Sequence, residues 1–131
     1  MIVEDSEKPC QSAKNLLSSI NYEIVYQTDN GFEAIEKYPV VKPDLILLDI
    51  SLAKSDGLNV LREIKNNHPE SKIIVLTLIS DENLISECNQ LGAEACVSIP
   101  YKLKDFVTLV TSVYNSSQNK SKVAPVLTDK T

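Results

Sequence analysis

The sequence predicts an α/β fold, a doubly wound, five-stranded parallel sheet built from five βα units, (βα)5. Five short aliphatic runs alternate along the chain with five amphipathic segments. The third and fourth runs are almost continuously apolar, which is typical of parallel strands that helices cover on both faces. The chain has 131 residues, and an eight-unit barrel needs about twice that length. We therefore expect one open sheet with right-handed crossovers.

The five predicted strands coincide with the aliphatic runs. Their β-branched residues and punctuated ends favour extended structure. In chain order the runs are Met1 to Val3, Ile24 to Tyr26, Leu45 to Ile50, Ile73 to Leu78 and Ala95 to Ile99.

The first two helices are predicted from apolar residues at helical spacing. The first has Ser6 as a candidate N-cap and tolerates Pro9 in its first turn. Its apolar stripe consists of Ala13, Leu16, Leu17 and Ile20. The second begins near Gly31 and is expected to end at Pro39 and Pro43. Its expected buried residues are Phe32, Ile35 and Tyr38.

Similar stripes predict the remaining three helices. The third is marked by Leu58, Leu61 and Ile64. The fourth contains Leu84, Ile85, Cys88 and Leu91, with Gly92 as its C-terminal stop. The fifth contains Phe106, Val107, Val110, Val113 and Tyr114. Five such units in one open sheet make the flavodoxin-like form of the α/β class.

The domain is expected to span residues 1–115, with residues 116–131 as a flexible C-terminal tail or linker. The formal net charge is −5, although three of the 13 Lys and Arg residues and only one of the 18 Asp and Glu residues follow Tyr114. The predicted domain is therefore the acidic part, and acidic surfaces repel phosphate backbones. We expect no nucleic acid partner for this chain by itself.

Several other classes of protein are disfavoured by what the sequence lacks. The three glycines, at positions 31, 57 and 92, are too far apart for a nucleotide-binding loop. The small number of glycines, together with only seven aromatic residues that could stack on a ring, also disfavours a flavodoxin-like enzyme or cofactor binder. The cysteines, Cys10, Cys88 and Cys96, have neither zinc-site nor disulfide-framework spacing. With no signal-peptide pattern and no membrane-length apolar run, we expect a cytoplasmic protein without a membrane partner.

Polar residues stand at the predicted carboxyl ends of the strands, where open α/β sheets bind ligands. Glu4 and Asp5 follow the first run, Asp49 lies near the end of the third, and Thr77 lies near the end of the fourth. Asp49 is the most informative, because a carboxylate after four apolar residues is costly unless it is paired or bound to metal. Oxygen ligands of this kind suit Mg²⁺. The pattern predicts an acidic Mg²⁺ site.

As a set, these motifs resemble the receiver domain of two-component response regulators. The similarity covers nearly all of residues 1–115. It is carried by Val3-Glu4-Asp5, Asp44-Leu45-Ile46-Leu47-Leu48-Asp49, Asp56-Gly57, Ile74-Val75-Leu76-Thr77, Gly92-Ala93 and Pro100.

The resemblance implies a phosphorylation switch. Asp49 would be the phosphoacceptor, Thr77 the switch hydroxyl, and Glu4, Asp5, Asp49 and the backbone carbonyl of Ser51 the Mg²⁺ ligands. It implies a histidine kinase or phosphotransfer protein as the phosphodonor. An effector domain or partner protein would bind the fourth helix, fifth strand and fifth helix, around Leu84 to Tyr114. Such a protein is not an enzyme, since it promotes only its own phosphorylation and dephosphorylation.

The main departure from the family pattern is Ile99, which stands where the family has a lysine before Pro100. Phosphorylated Asp49 would carry a charge of about −2. Without the lysine, the negative charges of the phosphoryl group, Glu4 and Asp5 would lack one neutralising cation. We hypothesise that Asp49 accepts phosphate poorly or with little conformational response. Lys54 and Lys102 are candidate replacements, and Cys96 stands where the family has an aromatic rotamer switch. The alternative is a degenerate receiver that acts as a phosphorylation-independent interaction module.

Overall fold

The computed structural model describes residues 1–4, 14–50, 57–77, 81–98 and 101–121, with side chains as far as residue 115. The strands are β1 (Ile2–Val3), β2 (Gln27–Thr28), β3 (Ile46–Asp49), β4 (Ile73–Thr77) and β5 (Ala95–Ser98). The helices are α1 (residues 14–19), α2 (Gly31–Val41), α3 (Gly57–Asn67), α4 (Glu82–Gln90) and α5 (Leu103–Ser121).

The described strands form one parallel sheet with the order β2-β1-β3-β4-β5. The chain thus winds from β1 outward to one edge and then back across to the other. This order places helices on both faces of the sheet, so the predicted doubly wound α/β fold is confirmed.

The alternating side chains of the strands divide the core into two layers. On one face, Leu48 and Val75 pack with residues of α2, α3 and α4. On the other face, Leu47 and Ile74 pack with α1 and α5, including the fully buried Phe106. Because both faces are covered, β3 and β4 are buried along their whole length, as their continuous apolar runs predicted.

The prediction for the second strand was wrong by a few residues. The structure places β2 at Gln27–Thr28, where Ile2 pairs with Gln27 and Val3 with Thr28. Since β2 is at the edge of the sheet, it needs less apolar character than a central strand. The apolar residues of the predicted segment, Ile24 and Tyr26, instead pack as partly buried side chains against the two core layers.

The second helix also differs from its prediction. It contains Pro39 and continues to Val41, and Lys42 caps it in a left-handed conformation with φ 50°. Pro39 lies in the last turn of this helix, and because it has no N–H, one backbone hydrogen bond of that turn is lost. Ala34 and Tyr38 are buried on the side of the helix that packs against the core, whereas Phe32 is 61% exposed. Its expected burial was wrong.

The other helices follow their predicted stripes. Leu17, Leu61, Ile64, Cys88 and Val110 are all buried, and Gly92 follows α4 with a φ of 102°. Ser6, Pro9 and Ala13 lie outside the described residues. The backbone of α5 continues to Ser121. The domain boundary at residue 115 and the flexible tail of residues 116–131 stay predictions.

The sequence also predicted that the chain has no apolar run long enough to span a membrane. In the described part of the chain, no helix combines the length and the apolar character that crossing a bilayer requires.

Candidate functional site at the carboxyl edge of the sheet

The register of the sheet places two acidic residues level with each other at its carboxyl edge. Val3 of β1 pairs with Leu48 of β3, so the residues that follow them, Glu4 and Asp49, lie at the same height on adjacent strands. Glu4 is 4% exposed and Asp49 is 7% exposed. Two acidic residues predicted from sequence are thus both buried at one edge of the sheet.

Thr77 ends β4 beside this pair. Asp49 pairs with Leu76, and Thr77 pairs with Ser98 at the end of β5. Thr77 is completely buried. Its hydroxyl therefore belongs to the packed edge of the sheet and not to an exposed loop.

The chemistry of the buried groups fits a hard divalent cation. Carboxylates taken out of water are costly unless other groups compensate their charge, and carboxylate oxygens suit Mg²⁺. Within the described residues, no three His, Cys, Asp or Glu side chains converge as a metal site. Two further predicted ligands, Asp5 and the carbonyl of Ser51, lie outside the described residues. The described part contributes Glu4 and Asp49 to the predicted set.

The close approach of α3 to the end of β3 depends on Gly57. A Cβ atom at this position would lie 2.2 Å from the Cα and 2.6 Å from the carbonyl oxygen of Ile50. Real Cβ atoms do not approach backbone so closely, so only glycine fits here without a shift. Ile50 directly follows Asp49, so this packing constrains the backbone next to Asp49.

A network of side chains supports the same edge of the sheet at β2. The Thr28 hydroxyl donates to Oε1 of Glu33 at 3.0 Å, and the Tyr26 hydroxyl donates to Oε2 of the same carboxylate. These bonds lower the pKa of Glu33, with that from Tyr26 contributing most. The backbone N–H of Glu4 donates to the carbonyl of Thr28 at 3.0 Å. The network therefore anchors the strand that flanks Glu4.

Tyr101 is a neighbour of the site whose position the sequence did not reveal. Its ring stacks on that of Phe106, with centroids 4.3 Å apart and an interplanar angle of 16°. Burial, followed by the charge of Glu4, raises the pKa of Tyr101. It is half-buried, and it lies within electrostatic reach of the acidic edge.

The candidate replacements for the absent lysine are only partly described. Lys102 is exposed, and its backbone carbonyl accepts a hydrogen bond from the N–H of Phe106 at 3.0 Å. Lys54 and Ile99 lie outside the described residues. The consequence of having Ile99 in place of a lysine therefore stays a prediction from the sequence.

A cavity of about 300 Å³ lies at the opposite, amino edge of the sheet. It is lined by Tyr38, Pro39, Lys42, Pro43, Asp44, His68, Glu70 and Lys72. Asp44 and Lys72 precede β3 and β4, whereas Asp49 and Thr77 end them. This cavity is therefore separate from the acidic edge.

Comparisons with known proteins agree with this arrangement. Residues 1–111 match the model of the response regulator receiver domain. The chemotaxis protein CheY of Listeria monocytogenes serovar 1/2a is 30% identical over 102 residues, which cover 78% of this chain and 86% of that protein.

Solved structures show the same similarity. One is CheY in the CheX-CheY-BeF3-Mg²⁺ complex of Borrelia burgdorferi, with a TM-score of 0.82, 27% identity and coverage of 86% of each chain. Another is a DNA-binding response regulator of the LuxR family from Staphylococcus aureus. It has a TM-score of 0.80 and 27% identity, and the alignment covers 87% of this chain and 96% of that one. The family model, the sequence relatives and the sheet topology lead to one conclusion: this chain belongs to the response regulator receiver domain family.

Proposed function

We propose that Asp49 accepts a phosphoryl group from a histidine kinase or phosphotransfer protein, and that the chain signals the change through protein contacts. The observation that carries this proposal is the burial of the Asp49 carboxylate level with Glu4 at the carboxyl edge of the sheet. Strand pairing fixes the backbone position of Asp49 before any donor arrives. Such positioning is most of what a protein contributes to phosphoryl transfer.

The transfer itself needs few groups. A carboxylate oxygen of Asp49 attacks the phosphorus, the bond from phosphorus to the donor breaks, and Asp49 becomes an acyl phosphate. Water later attacks the phosphorus and restores the carboxylate. The chain promotes these two steps on itself alone. The modified side chain carries about −2 next to the charge of Glu4, so the product requires a neutralising cation.

We assign this cation as Mg²⁺, held by Glu4, Asp5, Asp49 and the carbonyl of Ser51. When bound, Mg²⁺ supplies positive charge that offsets the charge of the transferring phosphoryl group. Support comes from the buried oxygen donors of Glu4 and Asp49 and from the similar CheY, which was crystallised with BeF3 and Mg²⁺. The role of this chain is to place the oxygen ligands beside the acceptor.

We assign the switch hydroxyl to Thr77. It is buried on the strand next to that of Asp49, so a hydroxyl hydrogen bond to a phosphoryl oxygen would be strengthened by the low local dielectric. Because Thr77 pairs with Ser98, movement of Thr77 would be transmitted to β5.

The intact mass of the protein after treatment with acetyl phosphate and Mg²⁺ tests the acceptor. The wild-type chain should gain one phosphoryl group that hydroxylamine removes, and Asp49→Asn should gain none. Asp44→Asn is the matched control, because Asp44 lies at the other end of the same strand segment. Phosphorylation of Asp49→Asn would contradict the assignment. An unmodified wild-type chain, also with a kinase as donor, would support the phosphorylation-independent alternative.

The substitution Ile99→Lys tests the consequence of the family departure. A lysine 4 Å from one negative charge is worth about 4 kcal/mol at an effective dielectric near 20, as an upper bound before desolvation. We therefore expect Ile99→Lys to raise the extent of phosphorylation or the structural response to it, and Ile99→Met to change neither. Fast, near-stoichiometric phosphorylation of the wild-type chain would refute the hypothesis of poor phosphate acceptance.

We assign the output surface to α4, β5 and the start of α5. At the edge of the sheet, β5 has four half-buried residues, and Leu103 of α5 is 62% exposed. An effector domain or partner protein could cover these groups. Hydrogen exchange with and without fluoroberyllate, a tetrahedral phosphoryl analogue, should show altered protection in α4 and β5. Altered protection only in α2 and α3 would place the output elsewhere.

A further inference from the structure

Two cysteines meet between α4 and β5. Cys88 is on α4 and is completely buried, and Cys96 is on β5 and is half-buried. Both belong to the same core layer, and each thiol affects the pKa of the other. Their sulfur atoms are therefore neighbours, although seven residues separate the two positions in sequence.

Cys88 anchors α4 to the core. All nine residues of this helix are described, and among them Cys88 alone is buried. The backbone carbonyl of Cys88 also accepts from the N–H of Ala93 at 3.1 Å, in the connection to β5. The contact of α4 with the core thus centres on the residue that touches Cys96.

Cys96 is positioned by the sheet. It pairs with Val75 of β4, which is completely buried in the same core layer. Its backbone position is therefore set by the strand register. A buried thiol on a helix and a partly accessible thiol on a strand form a pair whose two members differ in access to solvent.

We propose that Cys88 and Cys96 are a redox modification site, at which a hydroperoxide converts the two thiols into a disulfide that links α4 to β5. The proposal does not depend on phosphorylation of Asp49. It concerns groups that the phosphoryl chemistry leaves unused.

The accessible thiol reacts first. Burial raises the pKa of Cys96, and the hydrogen bond from Cys88 acts in the opposite direction. Burial, with a smaller contribution from Cys96, raises the pKa of Cys88 to about 11. Burial disfavours the thiolate at both positions, so the partial exposure of Cys96 is what makes it the thiol of the pair that peroxide can reach.

The reaction balances in two steps. The Cys96 sulfur attacks one peroxide oxygen, the O–O bond breaks, and a sulfenic acid and one water are formed from hydrogen peroxide. The Cys88 sulfur then attacks the Cys96 sulfur, the S–O bond breaks, and the leaving hydroxide takes the Cys88 proton as a second water. Each sulfur is oxidised by one electron, and the peroxide is reduced by two.

Peptide mapping under non-reducing conditions tests the proposal. The full-length chain is treated with hydrogen peroxide, digested and analysed for a Cys88–Cys96 linked peptide whose mass is lower by two hydrogens. We expect two of the three thiols to be lost together, and the same link in Cys10→Ser, which lacks the third cysteine. In Cys96→Ser, the Cys88 thiol should remain reduced because it is buried.

Cys88→Ala separates a linked pair from two independent thiols. In this variant, Cys96 should accumulate as sulfinic acid, since no second sulfur captures the sulfenic acid. Sulfinic acid at Cys96 in the wild-type chain with Cys88 still reduced would overturn the proposal. A bridge to Cys10 in place of the Cys88–Cys96 link would also overturn it. Hydrogen exchange supplies a second readout, because the linked form should protect the amides of α4 more strongly than the reduced form.

Discussion

Glycine is favoured at positions 57 and 92 for two different structural reasons, a lack of space at Gly57 and an unusual backbone conformation at Gly92. At Gly57 the space is taken by the backbone of Ile50, 2.2 Å from where a Cβ would lie. At Gly92 a Cβ would meet the Lys65 side chain at an ordinary 3.5 Å, but the φ of 102° is one that other residues rarely adopt. The first glycine affects the residue next to Asp49, whereas the second ends α4.

The substitution Gly57→Ala should therefore impair the candidate site as well as stability. The new methyl group must move α3 or the end of β3, and overpacking of this kind costs typically ~1–3 kcal/mol. We expect a lower urea midpoint and reduced phosphorylation of Asp49. Gly92→Ala is the matched control, and it should lower stability through its backbone conformation while phosphorylation is retained. Equal phosphorylation of both variants would contradict a positioning role for Gly57.

At the scale of elements, a clamp of side chains joins α3, β4 and β5. Glu94, just before β5, accepts from the N–H of Ile73 at 2.7 Å and from the ammonium of Lys65 at 2.9 Å. Lys65 of α3 also donates to the backbone carbonyl of Ser71. One carboxylate thus ties the beginnings of two adjacent strands to the end of a helix.

Substitutions of Glu94 should distinguish the two parts of this clamp. Glu94→Gln keeps an acceptor for the N–H of Ile73 and loses only the ion pair with Lys65, which is worth up to about 1 kcal/mol near the surface. Glu94→Ala also leaves the part-buried N–H of Ile73 without its partner, at a cost of ~1–3 kcal/mol. Urea unfolding should rank the alanine variant below the glutamine variant. Equal stabilities of the two variants would instead assign the stabilisation to the ion pair.

The start of α2 depends on one cap. The side-chain oxygen of Asn30 accepts from the N–H groups of Phe32 and Glu33 at 2.9 and 3.4 Å. Asn30→Ala should lower the free energy of unfolding by ~0.5–2 kcal/mol, and Asn30→Ser should restore most of it because serine also caps. Chemical denaturation measures both variants. A serine variant as unstable as the alanine variant would show that something other than capping is lost.

At the scale of the whole molecule, stability should decrease at alkaline pH. Burial, followed by the charges of Glu70, Asp44 and Glu94, raises the pKa of Tyr38 from 10.0 to about 12. The unfolded chain therefore loses this proton more readily. The contribution of Tyr38 is complete below pH 10 and is lost as the pH rises from 10 through 12.

Thermal denaturation across this range tests the sign of the effect. Tyr38→Phe has no phenol to ionise, so its loss of stability between pH 10 and 12 should be shallower than that of the wild-type chain. The thiol of Cys88 contributes a decrease in the same direction from 9.0 toward about 11, and both proteins retain it. Parallel curves for the two proteins would contradict the role of Tyr38.

The fold was predictable from the sequence to different degrees in different elements. The buried strands β3 and β4 were predicted well, because strands covered on both faces must be apolar along their length. The edge strand β2 was misplaced, because Gln27 and Thr28 pair through their backbones and need no apolar side chains. Phe32 was expected to be buried, yet Ala34 and Tyr38 make the contact with the core.

The same division applies to the candidate site. Glu4, Asp49 and Thr77 were predicted because acidic and hydroxyl groups at strand ends contrast with the apolar runs before them. Tyr101 was not predicted as a neighbour of Glu4, and the contact of Cys88 with Cys96 was not predicted either. These proximities join separate elements, and no local pattern in the chain encodes them.

By itself, the sequence determined the α/β class, the five units, the acidic strand ends and the resemblance to receiver domains. These features follow from hydrophobic periodicity and from motifs, which are local properties of the chain. Only the tertiary structure decided the strand order β2-β1-β3-β4-β5, the level placement of Glu4 with Asp49 and the meeting of α4 with β5 through two thiols. The physical reason is that strand pairing and helix packing join residues distant in sequence, so the register of the assembled sheet sets which side chains meet.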